Sequence, residues 1–287
     1  MELFTGETPS VLGIMGRFIR KRLFNILSQG PIPSHIAFIL DGNRRFARKN
    51  KLQEGDGYKA GFLSLLSSLT YCYELGVKYA TVYAFSIDNF RRRPSEVQYV
   101  MDLMLEKIKM IMKEESTLNS YGVGVRFKGN IKLLSEPLQI AVEKVMKATA
   151  HNSRFLLYIC VAYTSTDEIV HAVEESCKEN LNSTDQQELE KANGTANSVI
   201  PAEKMKPFSD IKLVELERNF YITQDVDVLI RSSGEKRLSN FLLWQATHCI
   251  LYSPTALWPE LGFWHIVRAV VDFQRHHSYF DKKKKQL

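Results

Sequence analysis

The sequence lacks the signatures of several large enzyme classes. Its four cysteines, Cys72, Cys160, Cys177 and Cys249, are scattered with no C-x-x-C pair. Cys72, Cys160 and Cys249 lie in apolar runs and read as small buried hydrophobes, a pattern that suits a reducing compartment. The seven histidines are dispersed apart from the adjacent His276 and His277, which argues against a zinc enzyme. There is no G-x-x-x-x-G-K-[ST] phosphate loop and no G-x-S-x-G elbow. Gly55, Gly57 and Gly61 are spaced G-x-G-x-x-x-G with no strand directly before them, so they are not a dinucleotide fingerprint. No run of about eighteen apolar residues occurs, and no transmembrane helix is expected. No internal repeat is found.

What remains suits a globular chain. With 287 residues, 45% of them hydrophobic, the sequence is long enough for one large α/β domain or two small ones. A core can therefore form without disulfides. The net charge of +6 points to an anionic partner: nucleic acid, an acidic membrane surface or a phosphorylated small molecule. Part of that excess is the tail Lys282–Lys285, which brings the body nearer neutrality and weakens a nucleic-acid reading. Nucleic-acid binding would also call for aromatic platforms or a basic stripe.

Near the amino terminus, Leu12, Ile14, Met15, Phe18, Ile19, Leu23, Phe24, Ile26 and Leu27 interleave with Arg17, Arg20, Lys21 and Arg22. This basic amphipathic pattern fits a helix lying on an anionic membrane or one docked on the domain, and the two are compatible. The division expected is an amphipathic segment over 1–31, a main domain over 32–277 and a basic tail over 278–287. Residues 180–207 are polar and read as an insertion or a frayed helix pair. The sequons at Asn182 and Asn193 would go unused in the cytosol.

Short β-branched and aromatic runs alternate with helical patterns. Strands are expected at His35–Leu40, Ala80–Phe85, Val123–Gly129, Phe155–Ala162, Val226–Arg231 and Cys249–Tyr252. Helices are expected at Tyr58–Leu75, Ser95–Leu118, Pro137–Ala150, Ser165–Asn180, Pro207–Phe220 and Gly262–His277. Several strands are continuously apolar, as strands covered on both faces are. The alternation predicts an α/β fold: a central, mainly parallel six-stranded sheet flanked by helices.

Ligands of such sheets bind beyond the carboxyl ends of the strands. Asp41, Gly42, Asn43, Arg44 and Arg45 follow the first strand. Ser86, Asp88, Asn89, Phe90, Arg91, Arg92 and Arg93 follow the second. Arg231 ends the fifth, followed by Ser232, Ser233, Gly234, Glu235, Lys236 and Arg237. Arginine forks match phosphate oxygens, and helix amino termini add N–H donors, so this edge is suited to one or two diphosphates. Asp41 among these cations fits a magnesium ligand, and Gly42 lets backbone approach a phosphate. Each part has a plainer reading: Asp41 as a helix cap near Asn43, Arg91–Arg93 as a solvated loop, Arg231 as a structural ion-pair partner. Their joint placement on one edge favours the binding site.

The stretch from His35 to Arg45, H-I-A-F-I-L-D-G-N-R-R, resembles the opening signature H-x-A-x-x-M-D-G-N-x-R of the cis-prenyltransferases. Y-A-F-S-I-D-N-F from Tyr83 resembles their second motif. D-V-L-I-R-S-S-G-E-K-R-L-S-N-F-L-L-W-Q from Asp227, with L-W-P-E from Leu257, resembles the late one. The match runs in order from about Ile32 to about His277, and Arg44 suggests the eukaryotic dehydrodolichyl diphosphate synthase branch. The resemblance implies extension of farnesyl or geranylgeranyl diphosphate by several isopentenyl diphosphates, with Mg²⁺, into a long polyprenyl (dehydrodolichyl) diphosphate. It implies Asp41 as the metal ligand. Gly42, Asn43, Arg44, Arg45 and Arg92 would hold the allylic diphosphate, Arg231, Arg237 and Ser239 that of isopentenyl diphosphate, and Phe46 and Phe90 would also bind substrate. Ser86 and Asn89 would lie near the reacting carbons, Asn89 in proton removal. Val97, Val100, Met101, Met104, Leu105, Ile108, Ile111 and Met112 would wall an apolar tunnel with Phe62, Leu65, Leu66, Leu69 and Tyr73; periodicity alone makes them core positions. Like the family, the chain has no D-D-x-x-D motif.

The sequence also departs from the family pattern. It has no R-x-G motif, Ile250 stands where bacterial members carry a second acidic ligand, and Glu54 and Tyr58 stand where they often carry Arg and His. These departures imply a heteromer in which a Nogo-B-receptor-like accessory subunit supplies R-x-G and a membrane anchor. Lys284-Lys285-Gln286-Leu287 has the form of a dilysine retrieval signal and also reads as a solvated basic tail. Peripheral membrane contact at the cytosolic face of the endoplasmic reticulum is expected, with no nucleic acid. The alternative is a non-catalytic anchoring subunit of the same fold. Such subunits lose the Asp41-type ligand and the phosphate arginines but keep R-x-G, the reverse of this chain.

Overall fold

Five of the six expected strands carry long β-branched or aromatic runs, and all six form. The computed structural model describes residues 11–192 and 212–284. The elements of its larger unit are α1 (Val11–Leu27), β1 (His35–Ile39), α2 (Asn43–Lys49), α3 (Glu54–Leu75), β2 (Tyr79–Ser86), α4 (Pro94–Lys113), α5 (Glu115–Tyr121), β3 (Val123–Lys128), α6 (Glu136–Ala148) and β4 (Phe155–Tyr163). A smaller unit, Ser165–Thr223, holds α7 (Ser165–Ala192) and α8 (Leu213–Arg218). The chain then returns to the larger unit with β5 (Val228–Arg231), β6 (Ile250–Tyr252) and α9 (Phe263–Lys284).

The six strands form one sheet in the order β3-β4-β2-β1-β5-β6, with every pairing parallel. The neighbouring strands β1 and β5 are buried at every position, as parallel strands covered on both faces must be. From β1 the chain goes first to one side through β2, then crosses to the other at β5. The β1–β5 boundary is therefore a topological switch, where connections leave in opposite directions and a crevice opens at the carboxyl ends. The register sets Ile39 beside Arg231 there.

One apolar cluster packs Ile36, Phe38, Val228 and Ile230 with Leu69 and Cys72 of α3 and Ile266, Val270 and Phe273 of α9. Another packs Val125, Phe127 and Val161 with Ile108 of α4 and Leu138, Val142 and Val145 of α6. Burying a Leu, Ile, Val or Phe side chain contributes about 1.5–3 kcal/mol, so these clusters supply the main driving force. Helix α1 is docked: Phe24 is buried against Phe263, and Arg20 pairs with Glu74 at 2.6 Å and lies over Tyr71. Its Phe18, Ile19 and Ile26 remain exposed.

Two helices differ from the sequence reading. The helix expected over Ser95–Leu118 is broken at Glu114, which ends α4 and caps α5. The run Lys113-Glu114-Glu115-Ser116-Thr117 offers no apolar anchor and two weak helix formers to carry the helix across. Helix α7 runs on to Ala192 rather than ending at Asn180, consistent with the Gln, Glu, Leu, Lys and Ala that follow. Parts of the expected insertion 180–207 and of the helix over Pro207–Phe220, the Asn193 sequon, residues 1–10 and Lys285–Leu287 lie outside the described residues.

Buried His35 anchors the opposite end of the sheet. Its Nδ1 lies 3.0 Å from the Asp225 carbonyl and its Nε2 2.7 Å from Thr81 Oγ1. The carbonyl can only accept, so Nδ1 donates and Nε2 accepts from the hydroxyl. Burial pushes the imidazole down from 6.5 to about 4, against the raising effect of the Asp225 carbonyl and Asp227. The unfolded chain binds a proton that the fold refuses in this window. Stability is therefore full above about pH 6.5 and falls as the pH drops toward 4, by roughly 3 kcal/mol. Urea midpoints measured from pH 7 to 4 should show this slope, and His35→Gln should flatten it. An equal slope in both proteins would place the acid sensitivity elsewhere.

Candidate active site

The switch-point crevice is built from the first residues after β1, β2 and β5. Gly42, at φ 112°, starts α2 as its N-cap, and a Cβ there would collide with Ser233 Oγ and Leu257. Asp41 does not cap α2, so its plainer reading falls. Its carbonyl is instead held by the Ser232 and Ser233 hydroxyls and the Trp258 amide. This frees the carboxylate for two arginines: Oδ2 accepts from Arg231 Nη2 at 2.9 Å and Oδ1 from Arg45 Nη2 at 3.0 Å. Burial would raise the Asp41 carboxyl, but the hydrogen bonds and charges of Arg231 and Arg45 override it and hold the group below the ordinary carboxylate range.

Arg231 is 5% exposed. Its Nη1 donates to Ser239 Oγ and to the Arg237 carbonyl, while Nε is buried with no acceptor. Asn43 Oδ1 is likewise buried without a donor. Buried polar groups left unpaired cost about 1–3 kcal/mol, and each in a native structure has a reason such as a ligand, an ion or stored strain. Arg237 extends outward and pairs with Glu235, which also lies 3.7 Å from Arg45.

A second group of charges faces the first. Buried Glu96, on the first turn of α4, accepts from Tyr58 at 3.0 Å, from Arg92 at 3.0 Å and from Arg44 at 3.3 Å. Burial would raise this carboxyl too; the Tyr58 bond and the charges of Arg44 and Arg92 bring it below its ordinary value. Burial and Glu96 push the Tyr58 phenol up to about 12. Ser86 and Asn89 cap the short 3-10 turn Ile87–Arg91: Ser86 Oγ accepts from the Asp88 amide and Asn89 Oδ1 from the Ser86 amide.

The arginines, with Asp41, Tyr58, Ser86, Asn89 and Glu235, rim a cavity of about 880 Å³, and Glu96 lies behind them. Of the site residues read from sequence, Asp41, Gly42, Asn43, Arg44, Arg45, Ser86, Asn89, Arg92, Arg231, Arg237 and Ser239 all line it. Phe46 and Phe90 do not; Phe90 packs edge-on against Phe85. Below the rim the wall turns apolar through Phe62, Leu65, Val100, Met104, Ile108 and Ile111. A small apolar chamber of about 60 Å³ shares Phe62, Leu65, Ile111 and Ile159 with it and adds Leu66, Leu69 and Tyr73. Of the remaining tunnel positions, Val97, Met101, Leu105 and Met112 pack into the core under α6 instead. The sequence reading did not single out Glu96, Lys107 or Trp258 as site residues, and it placed Glu235 on the binding edge without a role. Tandem arginines near an acidic residue at a helix start were the signal for Glu96. Lys107 lines the apolar wall with its ammonium over Phe62, a placement that helical periodicity does not distinguish from a solvated lysine.

Such a site can hold anions at its mouth, a divalent cation on Asp41, and a long apolar tail inside. Magnesium is typically bound by one or two carboxylates plus substrate phosphates, and an ionised Asp41 beside the unpaired Arg231 Nε donor fits that role. Among the described residues no group of three or more His, Cys, Asp or Glu forms a closed metal cage. The phosphates would thus supply most of the ligands.

Comparison with known proteins agrees with this geometry. The profile of the Prenyltransf family, undecaprenyl diphosphate synthases, matches residues 39–281. The rubber cis-polyprenyltransferase of Hevea brasiliensis is 64% identical over 100% of both chains. A dehydrodolichyl diphosphate synthase complex subunit of Homo sapiens is 39% identical over 91% of this chain and 72% of its own. Among solved structures, lavandulyl diphosphate synthase of Lavandula x intermedia, in complex with dimethylallyl diphosphate, superposes with a TM-score of 0.68 at 25% identity, covering 85% of this chain and 95% of that one.

Glu96 is the buried counter-ion of Arg44 and Arg92 and the acceptor for the Tyr58 hydroxyl, so its loss leaves all three without that partner. Glu96→Ala should cost about 2–4 kcal/mol in urea unfolding, against less than 1 kcal/mol for the exposed Glu143→Ala. A loss below 1 kcal/mol for Glu96→Ala would show that the network contributes nothing to the fold.

Proposed function

We propose that this chain, which belongs to the undecaprenyl diphosphate synthase family of cis-prenyltransferases, condenses an allylic diphosphate with successive isopentenyl diphosphates into a long-chain cis-polyprenyl diphosphate. The observation that carries the reading is the cavity itself, a rim of arginines around one ionised aspartate leading into an apolar interior. Arg44, Arg45 and Arg92, with the amino terminus of α2, hold the allylic diphosphate, farnesyl or geranylgeranyl. Arg231, Arg237 and Ser239 hold that of the isopentenyl unit. The allylic C–O bond breaks and its electrons leave with the diphosphate. The isopentenyl double bond attacks the allylic carbon, and a proton is lost to form the new cis double bond. Ser86 and Asn89 stand beside the reacting carbons, Asn89 where the proton departs. Arginines fixed before the reaction stabilise the charge that develops on the leaving group. Magnesium held by Asp41 would further polarise that diphosphate. The product tail slides along Phe62, Leu65, Met104 and Ile108, whose pliant and aromatic surfaces accept any isoprene register.

The same reading extends to setting. The Homo sapiens relative is named as a subunit of a complex, and this chain is proposed to work with an accessory subunit carrying R-x-G. The exposed Phe18, Ile19 and Ile26 on a helix with Arg17, Lys21 and Arg22 support peripheral membrane contact. No described helix is long and apolar enough to cross a membrane. Placement at the cytosolic face of the endoplasmic reticulum, with a product destined for dolichol, completes the proposal. An anchoring subunit without catalysis is disfavoured, because Asp41 and all the rim arginines are present and assembled.

Incubation with farnesyl diphosphate, labelled isopentenyl diphosphate and magnesium, with and without a co-expressed R-x-G partner, tests both parts. Long labelled polyprenyl product is expected with the partner and not without it. Asp41→Ala should lower the rate at least about 100-fold, in the range of one lost electrostatic stabiliser. Full activity of the chain alone would overturn the obligate partner and keep the chemistry. No product in any combination, with the fold intact, would favour the anchoring role.

A further inference from the structure

The charges at the mouth form a chain of alternating sign. Arg231 pairs with Asp41, Asp41 with Arg45, Arg45 with Glu235 and Glu235 with Arg237. The chain closes on itself where Arg231 donates to the Arg237 carbonyl. Two carboxylates thus balance three guanidinium groups, and they are unlike. Asp41 is fixed at the end of β1 by three hydrogen bonds to its carbonyl and two close arginine contacts. Glu235 sits on the loop after β5, following Ser233 and Gly234 in left-handed backbone. One contact is close, to Arg237, and the other is loose, at 3.7 Å to Arg45. Its two partners are 63% and 45% exposed at the side chain, and exposed pairs of this kind exchange readily with water and competing anions.

We infer that Glu235 is a movable counter-anion: it neutralises Arg45 and Arg237 while the mouth is empty and yields them to a diphosphate in each cycle. The inference rests on the assignment of those arginines to the two diphosphates. A chain-elongating enzyme releases one diphosphate per addition and moves the lengthened product from one diphosphate position to the other. Arginines with no internal anion would hold the leaving group and slow both steps. Glu235 lies between an arginine of each position, so it can take over either guanidinium as the phosphate departs. A fixed structural ion pair would instead use buried, closely held partners, as Asp41 does with Arg231. Glu235 is therefore a positioning residue for product release, distinct from the groups that hold the substrates.

Binding of inorganic pyrophosphate, with magnesium, to the full chain in its complex separates the possibilities without turnover. Glu235→Gln keeps the shape and removes the charge. It should bind pyrophosphate about two- to fivefold more tightly than the native protein. Its steady-state rate should fall while the single-turnover condensation rate holds. Unfolding midpoints of both proteins check that the variant is folded. Equal or weaker pyrophosphate binding by Glu235→Gln would overturn the counter-anion role. Unchanged binding by Arg231→Ala would instead overturn the diphosphate site on which it rests.

Discussion

The ion pair between Asp41 and Arg231 joins the ends of the two strands that flank the topological switch. Strand order determines that these ends are neighbours, and the parallel register sets Ile39 beside Arg231 so that the next residue but one can reach it. A buried arginine is tolerable only with a partner, and a half-buried carboxylate stays ionised only with a cation. Each group thus makes the other possible. The left-handed Gly42, the serines on the Asp41 carbonyl and the Trp258 amide all place one carboxylate. The remaining charges are arranged around it.

The sheet builds two chemistries from one set of elements. At its carboxyl edge, loops and helix starts contribute Asp41, Arg45, Glu96 and Arg231. One or two turns farther along α3 and α4 the same helices contribute only apolar side chains to the cavity, with Lys107 as the exception. The change follows from geometry: strand ends and helix amino termini reach solvent, whereas mid-helix positions facing the sheet must be apolar for the layers to pack. A ligand with a charged head and a hydrocarbon tail meets both environments without any further device.

Much of this was legible in the sequence. Apolar runs located the strands, and reading the residues after each run brought Asp41, Arg92 and Arg231 to one edge before any coordinates. The role of Asp41 was less clear, because an aspartate two residues before a helix commonly caps it; only the φ of Gly42 and the distant Ser232 and Ser233 exclude that. Glu96 escaped because its partners, Arg44 and Tyr58, lie on α2 and α3, and no periodicity links three helices. Likewise, i, i+4 spacing predicts the Arg92–Glu96 contact but not its burial. The division of the α4 face between cavity and core depends on where α6 packs, which is a tertiary fact.

The orphaned atoms show how fold and ligand share one account. Arg231 Nε and Asn43 Oδ1 are buried without partners at the point where the cavity is most highly charged. Each costs about 1–3 kcal/mol if nothing fills it. A hydrophobic core of this size can carry that cost, and Ile108, Phe127 and Trp258 of the clusters around Phe38 and Phe127 also line the cavity. An apolar substitute at Arg231 would relieve its cost and remove a donor, whereas Asn43 Oδ1 is an acceptor that only a donor group can satisfy. A bound anion can accept from Arg231 Nε and so relieve the cost of that group at the end of β5.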